Sequence, residues 1–323
     1  MTNAIETRIQ DLERYRPSLT AKRDLDAFWE STLAEYADKP LNGTRELVAT
    51  PMSGMNVYRT TYEGADDTPL HAWYLTPKPA AADQSNPTFP CVVHYHGYGG
   101  SKGMPEHFAH YILMGFAVLS IDVRGQSGDT GNRLAQPYGA VKGWLTPGIL
   151  DRETAYYRAI TIDAIRAAEW ASAQPETDSE RVFVLGGSQG GGLALIVPAL
   201  SSVPKAAVAH IPNMCHMDFG ILNSNSSLSE AAAFVSKHPE HLEAVLDTLS
   251  YFDNLNLAHR IDIPVMVSCG LKDPCCMPET VYAAYNRIGS NKEMHVYPFD
   301  GHWVSDGQNR LAMEFLTRHA GLS

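Results

Sequence analysis

The sequence predicts an α/β fold, a mostly parallel central sheet flanked by helices, with a helical cap insertion. Two observations carry that prediction. From about residue 91 the chain alternates apolar runs of strand length with helical patterns, which builds a parallel sheet covered on both faces. Within that stretch Val182-Phe183-Val184-Leu185 runs into Gly186-Gly187-Ser188-Gln189-Gly190 and then Gly191-Gly192-Leu193-Ala194-Leu195. A buried strand, a glycine-rich turn and a helix opening with small residues form the local context that strains a serine backbone and lifts its hydroxyl above the sheet edge.

The elements follow in order. Leu25 to Tyr36 has helical periodicity and reads as a helix packed across the sheet. Glu46 to Leu75 alternates apolar and polar residues, rich in Thr, Val and Tyr, and reads as antiparallel strands opening the sheet. Parallel strands are expected near 91–95, 116–121, 181–185, 206–211, 263–269 and 293–298, and helices near 105–114, 152–173, 190–200, 278–288 and 307–319. Between Ile211-Pro212 and Ile263-Pro264 lie about fifty residues without a strand signal. They hold Ser227-Leu228-Ser229-Glu230, a capping-box spacing that leads into Ala231–Val235, and a second helical pattern from Pro239 to Leu249. An insertion there lies over the carboxyl ends of the strands, where open α/β sheets bind ligands, and reads as a cap shaping a pocket. A peripheral helical pair serving packing or assembly is the alternative. Residues 1–323 thus read as one domain, with an N-terminal helical and antiparallel-strand extension (about 1–75) and a helical insertion (about 213–260).

Composition narrows the function classes. Apolar content of 44% and charged content of 19% are those of an ordinary globular protein, and 323 residues can bury a large core. A net charge of -11 without a basic run disfavours nucleic acid as a partner. Met1-Thr2-Asn3-Ala4-Ile5-Glu6 lacks the basic and apolar regions of a signal peptide, and no apolar run is long enough to span a membrane. Five cysteines, with Cys275 and Cys276 adjacent, fit neither a disulfide framework nor a metal spacing; reduced thiols in a cytoplasm account for them.

A second Gly-x-Ser-x-Gly, Gly99-Gly100-Ser101-Lys102-Gly103, also follows an apolar run. Its serine is trailed by Pro105, which suits a loop or a first helical turn rather than a tight elbow. His96-Gly97-Tyr98-Gly99-Gly100 instead reads as the loop after an early strand that supplies an oxyanion donor, leaving Ser188 as the nucleophile. A serine needs a base, and the base needs an acid to hold its tautomer. In this type of sheet they follow in the order Ser, Asp or Glu, His, each after a strand. Asp273 follows the strand ending at Cys269, and His302 follows the last one, so the triad is read as Ser188, Asp273 and His302. Asp300 reads as a turn residue, and Asp253 and Asp262 lie at the wrong end of a strand. The oxyanion donors are then the N–H of Gln189 and, from the early loop, the N–H of Tyr98, whose ring could also wall a small acyl pocket. A rival zinc site at His94 and His96 with His210 or His216 lacks residues to complete its ligand shell, so no metal is expected.

These residues resemble carbohydrate esterase family seven, the acetyl xylan esterase and cephalosporin C deacetylase group of the α/β-hydrolase superfamily. The resemblance rests on His96–Gly100, on Asp122-Val123-Arg124-Gly125-Gln126, on Gly186–Gly191, and on Gly270-Leu271-Lys272-Asp273 with Gly301-His302. Asp26–Trp29, Asp163–Ala167 and Leu249–Asp253 support it, so that it spans nearly the whole chain. It implies an esterase without cofactor that removes acetyl groups from short acetylated sugars and from cephalosporin-type acetates. It also implies that Arg124, Gly125 and Gln126 brace the site, and that the chain assembles as a homo-oligomer, commonly a hexamer. Where the family usually has Glu after the histidine, this chain has Trp303. The other readings are a peptidase or dienelactone-type hydrolase on the same fold, and a non-catalytic binding protein of that fold.

Overall fold

The computed structural model describes residues 3–78, 87–136 and 142–322. Met1 and Thr2, where the reading of the amino terminus begins, lie outside them. One sheet organises the chain, with strands β1 (Thr44–Val48), β2 (Met55–Glu63), β3 (Pro69–Pro77), β4 (Phe89–Tyr95), β5 (Ala117–Ile121), β6 (Thr177–Gly187), β7 (Ala206–His210), β8 (Val265–Gly270) and β9 (Lys292–Tyr297). Their spatial order is β1-β2-β3-β5-β4-β6-β7-β8-β9. The first three strands pair antiparallel, β3 also meets β5 antiparallel, and every pair from β5 onwards is parallel. The central strands are apolar on both faces, as burial under two helix layers requires.

Those layers split the core in two. Cys91, Val93 and Tyr95 of β4 face a cluster shared with α4 (Tyr156–Ser172), α5 (Gln189–Leu200) and α10 (Pro278–Tyr285). Val92 faces the other cluster, with α3 (Ala109–Leu113) and α11 (Asp306–Ala320). The period-two alternation of a strand sends neighbouring side chains into opposite layers. Helix α4 is covered almost all round, and its Arg166 donates to the Tyr36, Lys39 and Pro40 carbonyls at and just past the end of α2 (Leu25–Ala37) and to the Glu63 carbonyl at the end of β2.

Helix α2 differs from expectation. It seats Phe28 and Trp29 edge-on against Tyr251 and Phe252 at 4.9–6.1 Å, and Trp29 Nε1 donates to the Tyr251 carbonyl at 2.9 Å, so it locks onto the end of the insertion. The extension also begins with α1 (Ala4–Arg14), which is not among the elements expected from the sequence although Ile5, Ile9 and Leu12 recur at helical spacing; of these only Leu12 is fully buried. Asn3 and Glu6 form a true capping box there.

The insertion holds four helices among the described residues: α6 (Met217–Asn223), α7 (Leu228–Lys237), α8 (Leu242–Ser250) and α9 (Asn254–Leu257). The capping box expected at Ser227 and Glu230 is not formed. Ser227 is already helical (φ -52°, ψ -37°), and its hydroxyl accepts from Asn213 Nδ2 instead. The Glu230 carboxylate is engaged elsewhere, with Tyr98. Buried Asp253 ties α6 to α9 by accepting from the His216, Met217 and Leu255 N–H groups. Two other helices are shorter than their patterns. The region 105–114 splits into a 3₁₀ turn begun by Pro105 and then α3, and α4 starts only at Tyr156, after turns through Thr154.

At the end of β7, His210 is 4% exposed; its Nδ1 lies 3.1 Å from Ser268 Oγ and its Nε2 has no partner. Burial, helped by His295, pushes its pKa down to about 4. The unfolded chain therefore takes up a proton near pH 6.5 that the folded chain refuses until about pH 4, so stability present above pH 6.5 is lost as pH falls through that window. We expect this one residue to remove about 3 kcal/mol between pH 6.5 and pH 4. Urea titrations at a series of pH values should show His210→Gln with a flatter acid slope than the native chain; equal slopes would contradict this assignment.

Candidate active site

Every candidate residue lies on a loop at the carboxyl end of a parallel strand. Ser188 follows β6, the 96–100 loop follows β4, the 122–126 loop follows β5, Asp273 follows β8 and His302 follows β9. Helix α3 packs on one face of the sheet and α4 on the other, so the crevice between neighbouring β4 and β6 is where such sheets bind ligands.

Ser188 sits at φ 56°, ψ -120°, a region that a side-chain-bearing residue occupies only under constraint. The constraint is visible. Its N–H donates to the His210 carbonyl at 3.0 Å, and its carbonyl accepts from Gly192 and Asn213, both at 2.9 Å. The glycines around it serve close approach. A Cβ on Gly190 would fall 1.9 Å from the Tyr95 carbonyl oxygen, and one on Gly186 would fall 2.3 Å from that of Gly190. Gly187 is different, since a Cβ there would meet nothing closer than 3.9 Å.

The structure brings Ser188, His302 and Asp273 together. His302 Nε2 is 3.0 Å from Ser188 Oγ, and Nδ1 is 2.8 Å from Asp273 Oδ2. The other carboxylate oxygen of Asp273 accepts from the Cys275 and Cys276 N–H groups at 2.7 and 2.9 Å, which fixes the carboxylate plane. The two loops are fastened to each other: Leu271 N–H donates to the Tyr297 carbonyl and Lys272 N–H to that of Asp300. Asp300 thus contributes its backbone at the turn. Trp303, directly after His302, is 55% exposed.

Tyr98 and Gln189 flank the serine, and among the described residues neither N–H has a protein acceptor. The 96–98 loop runs against the nucleophile, since a Cβ on Gly97 would lie 3.6 Å from Ser188 Cβ. Gln126 links both sides of the crevice. Its Oε1 accepts from Gly99 N–H at 2.7 Å, while its Nε2 donates to Gln189 Oε1 at 3.0 Å and to Tyr156 Oη at 2.9 Å. Gly125 supplies the turn at φ 71°. Arg124 is fully buried, with a bidentate pair to Asp163 (2.6 and 2.8 Å) and a third contact to Asp66 at 3.0 Å. Its carbonyl accepts from Tyr156 Oη, so the ion pair anchors the loop that carries Gln126.

Sequence reasoning missed two neighbours. Cys276 Sγ is buried 4.0 Å from Ser188 Oγ, and Glu230 Oε2 accepts from Tyr98 Oη at 2.6 Å. No local pattern marks either, because both meet the site only through the fold. Ser101 lies in the loop after β4, its hydroxyl accepting from Gly103 N–H, while buried Lys102 pairs with Asp122 and Asp129 at 2.6 Å.

The histidines of the zinc alternative have other partners. His94 meets Ser120 Oγ, His96 braces its loop between the Gly97 carbonyl and the Val123 N–H, and His216 faces Tyr15. Asp273, Cys276 and His302 do gather ligand-type atoms within 4.8 Å. His302 Nδ1, however, is engaged with Asp273 and Nε2 with Ser188, so an ion held by these groups would displace the Asp273–His302 or His302–Ser188 contact.

Comparison with known proteins gives one consistent result. The family model described as Acetyl xylan esterase (AXE1) matches residues 2–319. The crystal structure of an acetyl xylan esterase from Paenibacillus sp. R4 is 38% identical and superposes with a TM-score of 0.92, covering 96% of this chain and 99% of that one. Acetyl Xylan Esterase 1 from Thermoanaerobacterium sp. JW/SL YS485 is 30% identical with a TM-score of 0.90, over 96% and 98%. The acetyl esterase Axe7A of Xylanibacter ruminicola is 26% identical over 313 residues, 95% of this chain and 69% of that protein. The acylaminoacyl peptidase of Pyrococcus horikoshii, at 16% identity and a TM-score of 0.59, shares the fold alone.

Gly190 and Gly187 of the elbow should respond differently to a methyl group. Gly190→Ala forces a backbone collision and should cost at least about 3 kcal/mol, whereas Gly187→Ala should stay within about 1 kcal/mol of the native chain. Thermal or urea denaturation of the two variants checks this, and equal losses would contradict the packing described.

Proposed function

Since the chain belongs to the acetyl xylan esterase family, we propose that it removes acetyl groups from short acetylated sugars of the xylooligosaccharide type, and also from cephalosporin-type acetates, through an acetyl-serine intermediate. The observation that carries the mechanism is the continuous Asp273–His302–Ser188 relay ending on a strained serine, at 2.8 and 3.0 Å.

Ser188 Oγ attacks the acetate carbonyl carbon as His302 Nε2 takes its proton. The carbonyl oxygen gains the negative charge and is received by the Gln189 and Tyr98 N–H groups, which are fixed before the charge develops. Asp273 holds Nδ1–H and stabilises the imidazolium. The C–O bond to the sugar breaks and His302 returns the proton to the leaving oxygen. A water then gives its proton to the same nitrogen, attacks the acetyl-serine carbonyl and releases acetate. No cofactor is required by any step.

Acyl size is read from the walls. Cys276 Sγ stands 4.0 Å from Ser188 Oγ, and the Tyr98 side chain is held by Glu230 and cannot swing aside without losing that bond. We read the protein as cytoplasmic, on the ground that all five cysteines are free thiols; no helix among the described residues is long and apolar enough to cross a membrane. We further read the assembly as a homo-oligomer, a hexamer by family resemblance, with exposed Phe299 and Trp303 beside the His302 loop among the surfaces available to it.

Hydrolysis of p-nitrophenyl acetate tests the reading. Ser188→Ala should lower kcat by about 10⁵-fold or more, and Asp273→Asn by about 10⁴-fold. Activity equal to the native enzyme in Ser188→Ala would overturn it. Turnover of the octanoate ester comparable to the acetate would contradict the small acyl pocket. Acetylated xylose, acetylated glucose and cephalosporin C compared on one preparation rank the alcohol portions.

A further inference from the structure

The carboxylate of Glu230 belongs to the insertion, being on the first turn of α7, yet its partners lie outside it. Oε2 accepts from Tyr98 Oη at 2.6 Å and from Leu145 N–H at 3.2 Å. Tyr98 Oη in turn accepts from Trp144 N–H at 2.6 Å and Leu145 N–H at 3.1 Å. A phenol has one proton to give and two lone pairs, so this hydroxyl is fully used. The Trp144 ring closes edge-on against the Tyr98 ring at 5.2 Å, and the carboxylate lies so near Gly143 that any Cβ there would strike it. Burial raises the carboxyl above its ordinary range. A desolvated acid is retained where its hydrogen bonds have a use.

We propose that Glu230 is a positioning residue for the oxyanion hole, through which the insertion sets the orientation of the Tyr98 peptide. This rests on the acyl-transfer mechanism above. The backbone of the loop around Tyr98 is held by His96 Nδ1 on the Gly97 carbonyl, by Gly100 N–H on that same carbonyl, by Gly99 N–H on Gln126, and by Ser127, which donates to the Gly99 and Gly100 carbonyls. These bonds fix the peptides around Tyr98. At the far end of its side chain the Trp144 and Leu145 N–H groups donate to the hydroxyl and Glu230 takes its proton; of these only Glu230 belongs to the insertion, and through it the insertion sets the twist of the residue assigned the second oxyanion donor. With the acceptor deleted, the phenol proton is left unsatisfied in a half-buried site and the ring must turn to find water. A displaced donor loses interaction with the oxyanion but not with the sugar, so the loss falls on kcat and not on KM.

Steady-state kinetics on acetylated xylose, with melting temperatures recorded for each protein, decide the matter. Glu230→Ala and Tyr98→Phe should each lower kcat by about ten- to a hundredfold while KM changes by less than about twofold. Glu230→Gln, which keeps an acceptor oxygen, should recover to within about threefold of the native kcat. The double variant should be no slower than either single one, because both break the same bond. A Glu230→Ala enzyme with native kcat, a parallel fall of KM affinity and kcat, or losses that multiply in the double variant would each overturn the proposal. If the native protein itself fails to cleave acetates, the esterase reading fails instead; if native activity is present and Glu230→Ala is silent, only the positioning role fails.

Discussion

The catalytic end of the molecule depends on one close approach, the first turn of α5 pressed against the last carbonyls of β4. At Gly190 no room exists for even a methyl group, and this contact lets β6 turn straight into α5 with Ser188 at the apex. The strained serine backbone costs on the order of 1–3 kcal/mol, offset by bonds from both sides of its peptide to His210, Gly192 and Asn213. The elbow is therefore rigid because neighbours on a strand, a helix and a loop hold it, and the hydroxyl meets His302 without rearrangement.

Around that apex the polar groups act in layers. The ion pair of Arg124 with Asp163 is deep and dry, and breaking one partner of such a pair leaves a buried charge uncompensated. Its role in the site is indirect: it fixes the backbone from which Gln126 reaches both the 96–100 loop and Gln189. Both proposed donors are thus linked by a single amide side chain. Catalytic geometry of this kind needs placement within a fraction of an ångström, and it is achieved here by short hydrogen bonds between rigid elements rather than by loop packing alone.

Much of this was legible in the sequence because the informative residues are local. The elbow is contiguous, the parallel strands are short apolar runs, and Asp273 and His302 follow strands in an order that topology dictates. What was hidden is hidden for physical reasons. Ser227 and Glu230 have the spacing of a capping box, but a tertiary acceptor role for Glu230 outcompetes the local one. Helix α2 has an apolar face whose partner, Tyr251 and Phe252, cannot be told from a sheet by periodicity. Cys276 meets the serine only after β8 and the elbow are side by side.

The junction between the extension and the insertion has a consequence for how the chain is made. Thr20 exchanges hydrogen bonds with Asn256 across 236 positions, and Trp29 with Tyr251 across 222. A ribosome delivers the amino-terminal side long before the other, at about 5–20 residues per second, so the Phe28 and Trp29 rings wait unpaired for on the order of ten seconds or longer. The strands between them can assemble in that interval, but the insertion cannot be fastened to the extension until three quarters of the chain has emerged. Synthesis order thus makes the clasp between extension and insertion a late contact, formed only after most of the sheet has been made.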